Sequence, residues 1–478
     1  MNVLRRKWQG LPRGVVVCIT ALVIYVPLLF IVVQSFLSAP FFSRSKSWSL
    51  EAFAFIFTDP DFYLALRSGF ILAFGLVIIA IPLGGILAFL MVRTDLPGRR
   101  IIEPLILVPI FVSPMVLGFG YVVAAGPVGF FSQWAQQLIG FVPWNIYSMF
   151  SIVVIAGLTH VPHAYLYISS ALRSVGSDVE EAARTVGATP LQVMTSVSLP
   201  MVRPSILYAC VLLFFLGLEV FGLMLVLGDP EGNMVLATYL YKLTNKLGTP
   251  SYHLMAAVAV VLICITIPLV MLQRRLMRTA NRFVTMKGKA SQARAVPGLL
   301  AGLAFLWVFL FVPMWLDQSL KHGWLSALPV ADWLREHLIV QLRALRNTIF
   351  SVWLAYTVVW MAYGLRLISS TLLQVGPELE EAARSTGASR GQITRHVTVP
   401  LSRYGLIGSW LLMFLIFERE YSTGVYLLSP GTETIGSMLV SLWAAGAIDI
   451  VAALSFINIL LVVIGLGIAL RFGVKLHD

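Results

Sequence analysis

A polar segment of 28 residues occurs twice in this chain, and the copies stand 200 positions apart without a gap. Residues 176–203 read GSDVEEAARTVGATPLQVMTSVSLPMVR, and residues 376–403 read GPELEEAARSTGASRGQITRHVTVPLSR. Twelve positions are identical, among them the EEAAR block, Gly187/Gly387, Ala188/Ala388 and Pro200/Pro400. Self-similarity at a fixed offset marks a duplicated unit, so the fold must present one local structure twice. Ser177 followed by Glu180 is a capping-box pattern that predicts a short helix start, with acidic residues at its positive end. Gly187 then stops the helix in a left-handed turn, and Thr189 or Ser389 is placed to cap a second short helix running to about Pro200. A polar loop of roughly 30 residues is long for a connection and calls for a function.

The segments between these loops set the class. The chain is 58% hydrophobic and only 12% charged, against about 25% charged in ordinary soluble domains. This is the composition of an all-α polytopic membrane protein. Apolar runs long enough to span a bilayer fall near 15–37, 68–92, 101–125, 148–172, 204–228 and 252–273, and then near 298–316, 347–372, 404–428 and 448–470. These ten spans divide as 6 + 4. A first repeat covers 1–273 with its loop at 173–203. A basic linker follows at 274–296, and a second repeat covers 297–478 with its loop at 373–403.

The net charge of +12 would suit nucleic acid if the cations formed a patch, but they lie in short loops on one side. With the N-terminus inside, the inner segments hold 24 Lys and Arg and the outer segments 9. The positive-inside rule therefore places both EEAAR loops and both termini in the cytoplasm. The first apolar run is too long for a signal-peptide core and reads as a retained span. Cys18, Cys210 and Cys264 all lie in apolar runs, which speaks against a disulfide framework or a cysteine metal site.

The second repeat is the shorter one. Arg67 matches Arg346 at an offset of 279, yet from Phe150/Phe350 onward the offset is 200, a difference of 79 residues. Counterparts of most of span two, all of span three and the loop before span four are absent from the second repeat. Losing an even number of spans preserves the orientation of everything that follows.

The EAA block, the glycine and the later proline resemble the cytoplasmic loop of the membrane-spanning subunit of binding-protein-dependent ABC importers. Two such loops in one chain resemble the fused permeases of the ferric-iron, thiamine and phosphonate branch. The resemblance implies an inner-membrane permease, and a transport subunit rather than an enzyme. It implies two copies of a cytoplasmic ATP-binding subunit that hold ATP and Mg, and an external binding protein that delivers substrate, ferric iron first. It assigns ATPase coupling to Glu180, Glu181, Ala182, Ala183 and Gly187, and to Glu380, Glu381, Ala382, Ala383 and Gly387. The glutamates also suit plain helix-start stabilisation. No phosphate-binding loop is present, because Phe283 stands where the first glycine of GxxxxGK would precede Gly288-Lys289.

Ionisable residues inside spans are costly and mark function by default. Glu219 lies about 24 Å along the helix from Arg203, and Glu418, Arg419 and Glu420 occupy the corresponding region of the second repeat. A cavity or gate and a locally paired packing cluster both suit them. His160 and His163 share a helix face but face Trp360 and Tyr363 in the other repeat, so symmetry offers no second pair for a metal. Pro104, Pro109, Pro114, Gly118 and Gly120 read as kinks and close packing in span three. Two other functions fit part of the pattern. An ion-coupled secondary transporter is also built from repeats but leaves the matched loops unexplained, and a shortened chain that only binds the ATPase would keep the loops without transport.

Overall fold

The computed structural model describes residues 25–40, 45–175, 177–245, 251–280, 298–327, 330–373 and 377–471, with a few isolated positions nearer the N-terminus. The N-terminal cations and most of the basic linker lie outside the described residues. Among the described residues the regular structure is helical apart from an isolated bridge between Leu37 and Trp48. The first repeat contains α1 (Tyr25–Ser35), α2 (Glu51–Thr58), α3 (Pro60–Arg93), α4 (Arg99–Phe111), α5 (Pro114–Ala125), α6 (Phe130–Ile139) and α7 (Met149–Ser174). It continues through α8 (Ser177–Thr185), α9 (Pro190–Val193), α10 (Leu199–Leu218), α11 (Gly222–Leu227), α12 (Leu236–Asn245) and α13 (Tyr252–Ala280). The second repeat has α14 (Gly298–His322), α15 (Ala331–Trp333), α16 (Val340–Arg346), α17 (Ile349–Leu373) and α18 (Pro377–Ser385). It ends with α19 (Arg390–Ile393), α20 (Val399–Arg419), α21 (Ile435–Ala444) and α22 (Ile448–Arg471).

Seven helices among the described residues are long and apolar enough to cross a bilayer, and an eighth is a pair bent by 62° near residue 404. Of the expected spans at 15–37 and 347–372, the described residues give the shorter apolar helices Tyr25–Ser35 and Ile349–Met361. Four spans differ in their bounds from the hydropathy reading. The run at 101–125 is two helices, α4 and α5, broken at Val112–Ser113 ahead of Pro114, whose ring cannot donate an N–H to a continuing helix. Spans five and nine stop at Leu218 and Arg419 instead of 228 and 428. Helix α13 runs on to Ala280, into the start of the basic linker.

The core of the first repeat is the trio α3, α7 and α10, which approach closely because glycines remove the side chains between them. Gly84 lies against Ala164 and the backbone of Tyr165, Gly157 against Ile79, and Gly217 against the backbone of Ala73. The apolar side chains on the far face of α3, Phe74, Ile78 and Ile86, are exposed, as a lipid-facing helix requires. Asp59 caps the start of α3 by accepting from the Asp61 N–H at 3.0 Å, with Pro60 at the first helical position. The Tyr239 hydroxyl donates to Asp59 at 2.6 Å and Lys242 pairs with Asp61, so α12 clasps that end.

The shortening of the second repeat is visible as missing helices. Helices α17, α18, α19 and α20 superpose in sequence on α7, α8, α9 and α10 at the 200-residue offset, but between α14 and α17 the described residues hold only the α-helices α15 and α16, joined by a π-turn at Leu334–Ile339, where α3 to α6 precede α7. The second repeat instead packs α20 and α22 against α4, and α22 also against α5, all from the first repeat. Phe119 of α5 meets Trp443 of α21 at 5.2 Å.

Candidate functional site: two matched loops and the junction between repeats

Each loop is a helix, a glycine elbow and a second helix. In the first copy the Gly187 N–H donates to the Arg184 carbonyl at 2.9 Å, and the Ala188 N–H to the Ala183 carbonyl at 3.1 Å. The second copy repeats this at 3.0 and 3.1 Å with Gly387 and Ala388. Gly187 has φ of +89° and Gly387 +86°, and a Cβ at either would meet nothing within 4 Å. The backbone angle, not space, requires glycine there. Thr189 and Gln192 then form a reciprocal cap: the Thr189 N–H donates to Gln192 Oε1 at 2.8 Å and the Gln192 N–H to Thr189 Oγ1 at 3.4 Å. Ser389 and Gln392 do the same at 2.8 and 3.4 Å.

The second short helix does not end at the proline. A π-helical turn, Met194–Ser198 or Thr394–Thr398, joins α9 to α10 and α19 to α20, so each elbow feeds directly into a membrane helix. Pro200 and Pro400 sit in the first turn of α10 and α20, where a missing N–H costs little.

The residues expected to couple do not all face outward. Glu181 and Glu381 are exposed, as are Ala182 and Ala382, while Ala183 and Ala383 are half-buried. Glu180 is turned inward and is 5% exposed. Its Oε1 accepts from Arg93 Nη2 at 2.9 Å and from Ser198 Oγ at 2.8 Å. That carboxylate is thereby turned toward the membrane-spanning body and away from the exposed face of the loop. Glu380 is half-buried and takes Thr398 Oγ1 at 3.1 Å and Arg384 at 3.4 Å. The exposed apolar residues Val179 and Val186 in one copy, and Leu379 in the other, flank the exposed glutamates. In the second loop the elbow encloses an open cavity of about 360 Å³ lined by Ala383, Gly387, Gln392 and His396.

Sequence reasoning counted Arg93 only as a positive charge at the end of a span. Its guanidinium also donates to the carbonyls of Leu172 and Val175, at 2.8 and 3.2 Å, which ties α3, α7 and α8 together. The one available signal was the hydroxyl kept at Ser198 and Thr398, 18 residues beyond the inward glutamate in both copies.

The intramembrane charges gather where the repeats meet. Helix α10 stops before Glu219, whose side chain is reachable by solvent although densely surrounded by protein, and the Glu219 and Glu420 carboxylates are near enough to repel. Phe221 stacks on Tyr421 across the junction at 6.1 Å and meets Tyr241 edge-on at 5.6 Å. Glu420 also accepts from the Thr423 N–H at 3.1 Å and from Ser422 Oγ, so it caps the break after α20. Glu418 accepts from Asn458 Nδ2. The side chain of Arg419 lies outside the described residues. Glu418 and Glu420 are thus locally paired, and Glu219 is the carboxylate that opens to the junction. The rings of His160 and His163 stack at 5.4 Å, and His160 Nδ1 bonds to the Ala156 carbonyl at 2.8 Å. Among the described residues no group of three or more metal-binding side chains gathers.

Two helical repeats of membrane-spanning segments, each interrupted by the same exposed loop, are the architecture of a multi-pass membrane protein. The chain belongs to the binding-protein-dependent transport system inner membrane component family, whose sequence model matches it twice, over residues 80–282 and 290–477. It is 30% identical over 167 residues to the Molybdenum transport system permease protein ModB of Escherichia coli (strain K12), spanning 35% of this chain and 72% of that one. It is also 30% identical over 209 residues to the Sulfate transport system permease protein CysW of the same strain, spanning 43% of this chain and 66% of that one. A bacterial ABC transporter involved in the import of the acidic polysaccharide alginate shares the fold, with a TM-score of 0.50 and 20% identity over 58% of this chain and 98% of that one. The protein is a permease component of an ABC importer that works with a substrate-binding protein.

Proposed function

We propose that the chain forms the translocation pathway of an ATP-driven importer in the bacterial inner membrane, with both termini and both EEAAR loops in the cytoplasm. Helices α8 and α18 seat on two copies of an ATP-binding subunit, which hold ATP and Mg. Their closure moves the elbows, and through the π-turns moves α10 and α20, switching the pathway between inward- and outward-facing. The observation that carries this reading is the pair of matched exposed loops, each fixed by a left-handed glycine and joined without a break to a membrane helix. The domain limits read from the sequence, 1–273, 274–296 and 297–478, belong to the same proposal.

The test is ATP hydrolysis by the chain co-purified with its cognate ATPase in liposomes, with and without loaded binding protein. Stimulation together with substrate uptake supports an importer with a shortened second repeat. ATPase binding without uptake supports a docking-only form. No ATPase binding favours an ion-coupled transporter.

Two substrate classes each have one observation behind them. The relatives' names point to an oxyanion such as molybdate or sulfate. The exposed Glu219 beside Glu420 points to a cation, and the fused layout resembles ferric-iron permeases, although neither relative's name mentions iron. An anion passing two carboxylates is repelled, and a cation is held. Glu219→Gln therefore separates the classes. Uptake of a cation falls about tenfold with ATPase stimulation kept, and uptake of an oxyanion holds or rises. Counting molybdate, sulfate and ferric iron in the same vesicles gives the answer.

A further inference from the structure

The two loops look alike in sequence but are held differently. Glu180 has a side chain 7% exposed and meets Arg93, itself 17% exposed, at 2.9 Å. The same guanidinium holds the last carbonyls of α7, so α8 is bonded to the ends of both α3 and α7. A second ionic hub stands beside it. Glu103 of α4 takes Arg173 at 2.5 Å and the Tyr165 hydroxyl at 2.9 Å, which fastens α4 to α7. Both Arg93 and Glu103 fall in the stretch that has no counterpart in the second repeat. There, Glu380 is 34% exposed and its cationic partner is Arg384, four residues along the same helix and 59% exposed. A bond within one helix cannot pull on another, and an exposed i,i+4 pair is weak. Charge-assisted bonds shielded from water are strong and directional.

We infer that Glu180 and Arg93 are positioning residues that lock the first docking helix to the membrane-spanning body, whereas the second docking helix is left unlocked, so that the two loops transmit force unequally. The inference rests on the docking reading above for the transmission of force, but the lock itself does not. Motion of α8 is passed to α3 and α7 as well as down α10. Among the described residues, motion of α18 passes only toward α20, through its elbow and the Glu380–Thr398 bond. The shortened second repeat is thereby a follower, and the first repeat carries the stroke.

Hydrogen exchange on the full chain in lipid nanodiscs tests the lock without any partner. The expected result is that amides of 177–185 exchange about tenfold more slowly than those of 377–385. Glu180→Gln removes that difference, and Glu380→Gln changes its own helix by less than about twofold. Reversal of the pair, Arg93→Glu with Glu180→Arg, restores part of the protection that either reversal alone removes. Equal protection of the two loops in the wild type, or no effect of Glu180→Gln, overturns the lock. In the complex with ATPase, Glu180→Gln lowers binding-protein-stimulated hydrolysis about tenfold per bound ATPase, a loss several-fold greater than that from Glu380→Gln. Loss of bound ATPase in Glu180→Gln would make Glu180 a docking contact and overturn its positioning role. Equal loss of stimulation from the two variants overturns the unequal stroke. A wild-type chain that retains no ATPase overturns the docking reading and the force half of the inference, while the exchange result still decides the lock.

Discussion

Valine at both Gly187 and Gly387 is expected to lower ATPase coupling about a hundredfold while leaving the membrane helices folded. Both glycines hold positive φ near +89° and +86°, and no neighbour lies within 4 Å of the place a Cβ would occupy. Each substitution therefore costs about 1–2 kcal/mol from the left-handed conformation alone, and a β-branched side chain lies at the upper end. Two such costs sum to about 3–4 kcal/mol, which the elbow relieves by opening. Once opened, α8 no longer meets α9 at its present angle, and the exposed Glu181, Ala182 and Val186 are no longer presented together. Asparagine at the same two positions keeps most of the coupling, because its side chain tolerates the left-handed region. The measurement is retention of ATPase on immobilised chain, followed by hydrolysis with loaded binding protein. Full coupling in the double valine variant would remove the elbows from the mechanism.

The loop architecture was legible in the sequence because its signals are local. A left-handed glycine and a Thr or Ser cap act over three or four residues, and the duplication at 200 residues shows them twice. Span ends were less legible. Hydropathy reports which segments avoid water, not where the backbone turns. The apolar run through residue 228 therefore concealed the end of α10 at Leu218 and the separate buried helix α11. The run at 101–125 concealed the break before Pro114 in the same way. The inward turn of Glu180 was beyond local reading, since its partner Arg93 stands 87 positions earlier in the sequence. A cation at a span end is equally at home among lipid headgroups, so nothing in its neighbourhood announces a tertiary bond.

Leucine at Gly84 is expected to cause the largest loss of stability among single changes in the first repeat. A Cβ there would lie 2.5 Å from the Ala164 Cβ, 2.8 Å from the Tyr165 backbone nitrogen and 3.0 Å from the Val161 carbonyl. Two of those three atoms are backbone, so no side-chain rotation relieves the clash. Helices α3 and α7 must separate, at a cost of about 3 kcal/mol or more. Ala164→Gly as a second change does not rescue the variant, because the Tyr165 nitrogen remains in the way. Leucine at Gly120, where a Cβ meets nothing within 4 Å, serves as the control and leaves the detergent-solubilised thermal midpoint near that of the wild type. The second repeat makes the complementary point. Gly364, at the position of Ala164, has only the flexible thioether end of Met413 nearby, at 3.5 Å, so Gly364→Ala is accommodated. A lowered midpoint for Gly84→Leu that Ala164→Gly restores would show that the α3–α7 contact is made by side chains alone. Failure of that rescue fits a helix pair held at backbone distance, which is the rigid body that the Arg93–Glu180 bond needs at its cytoplasmic end.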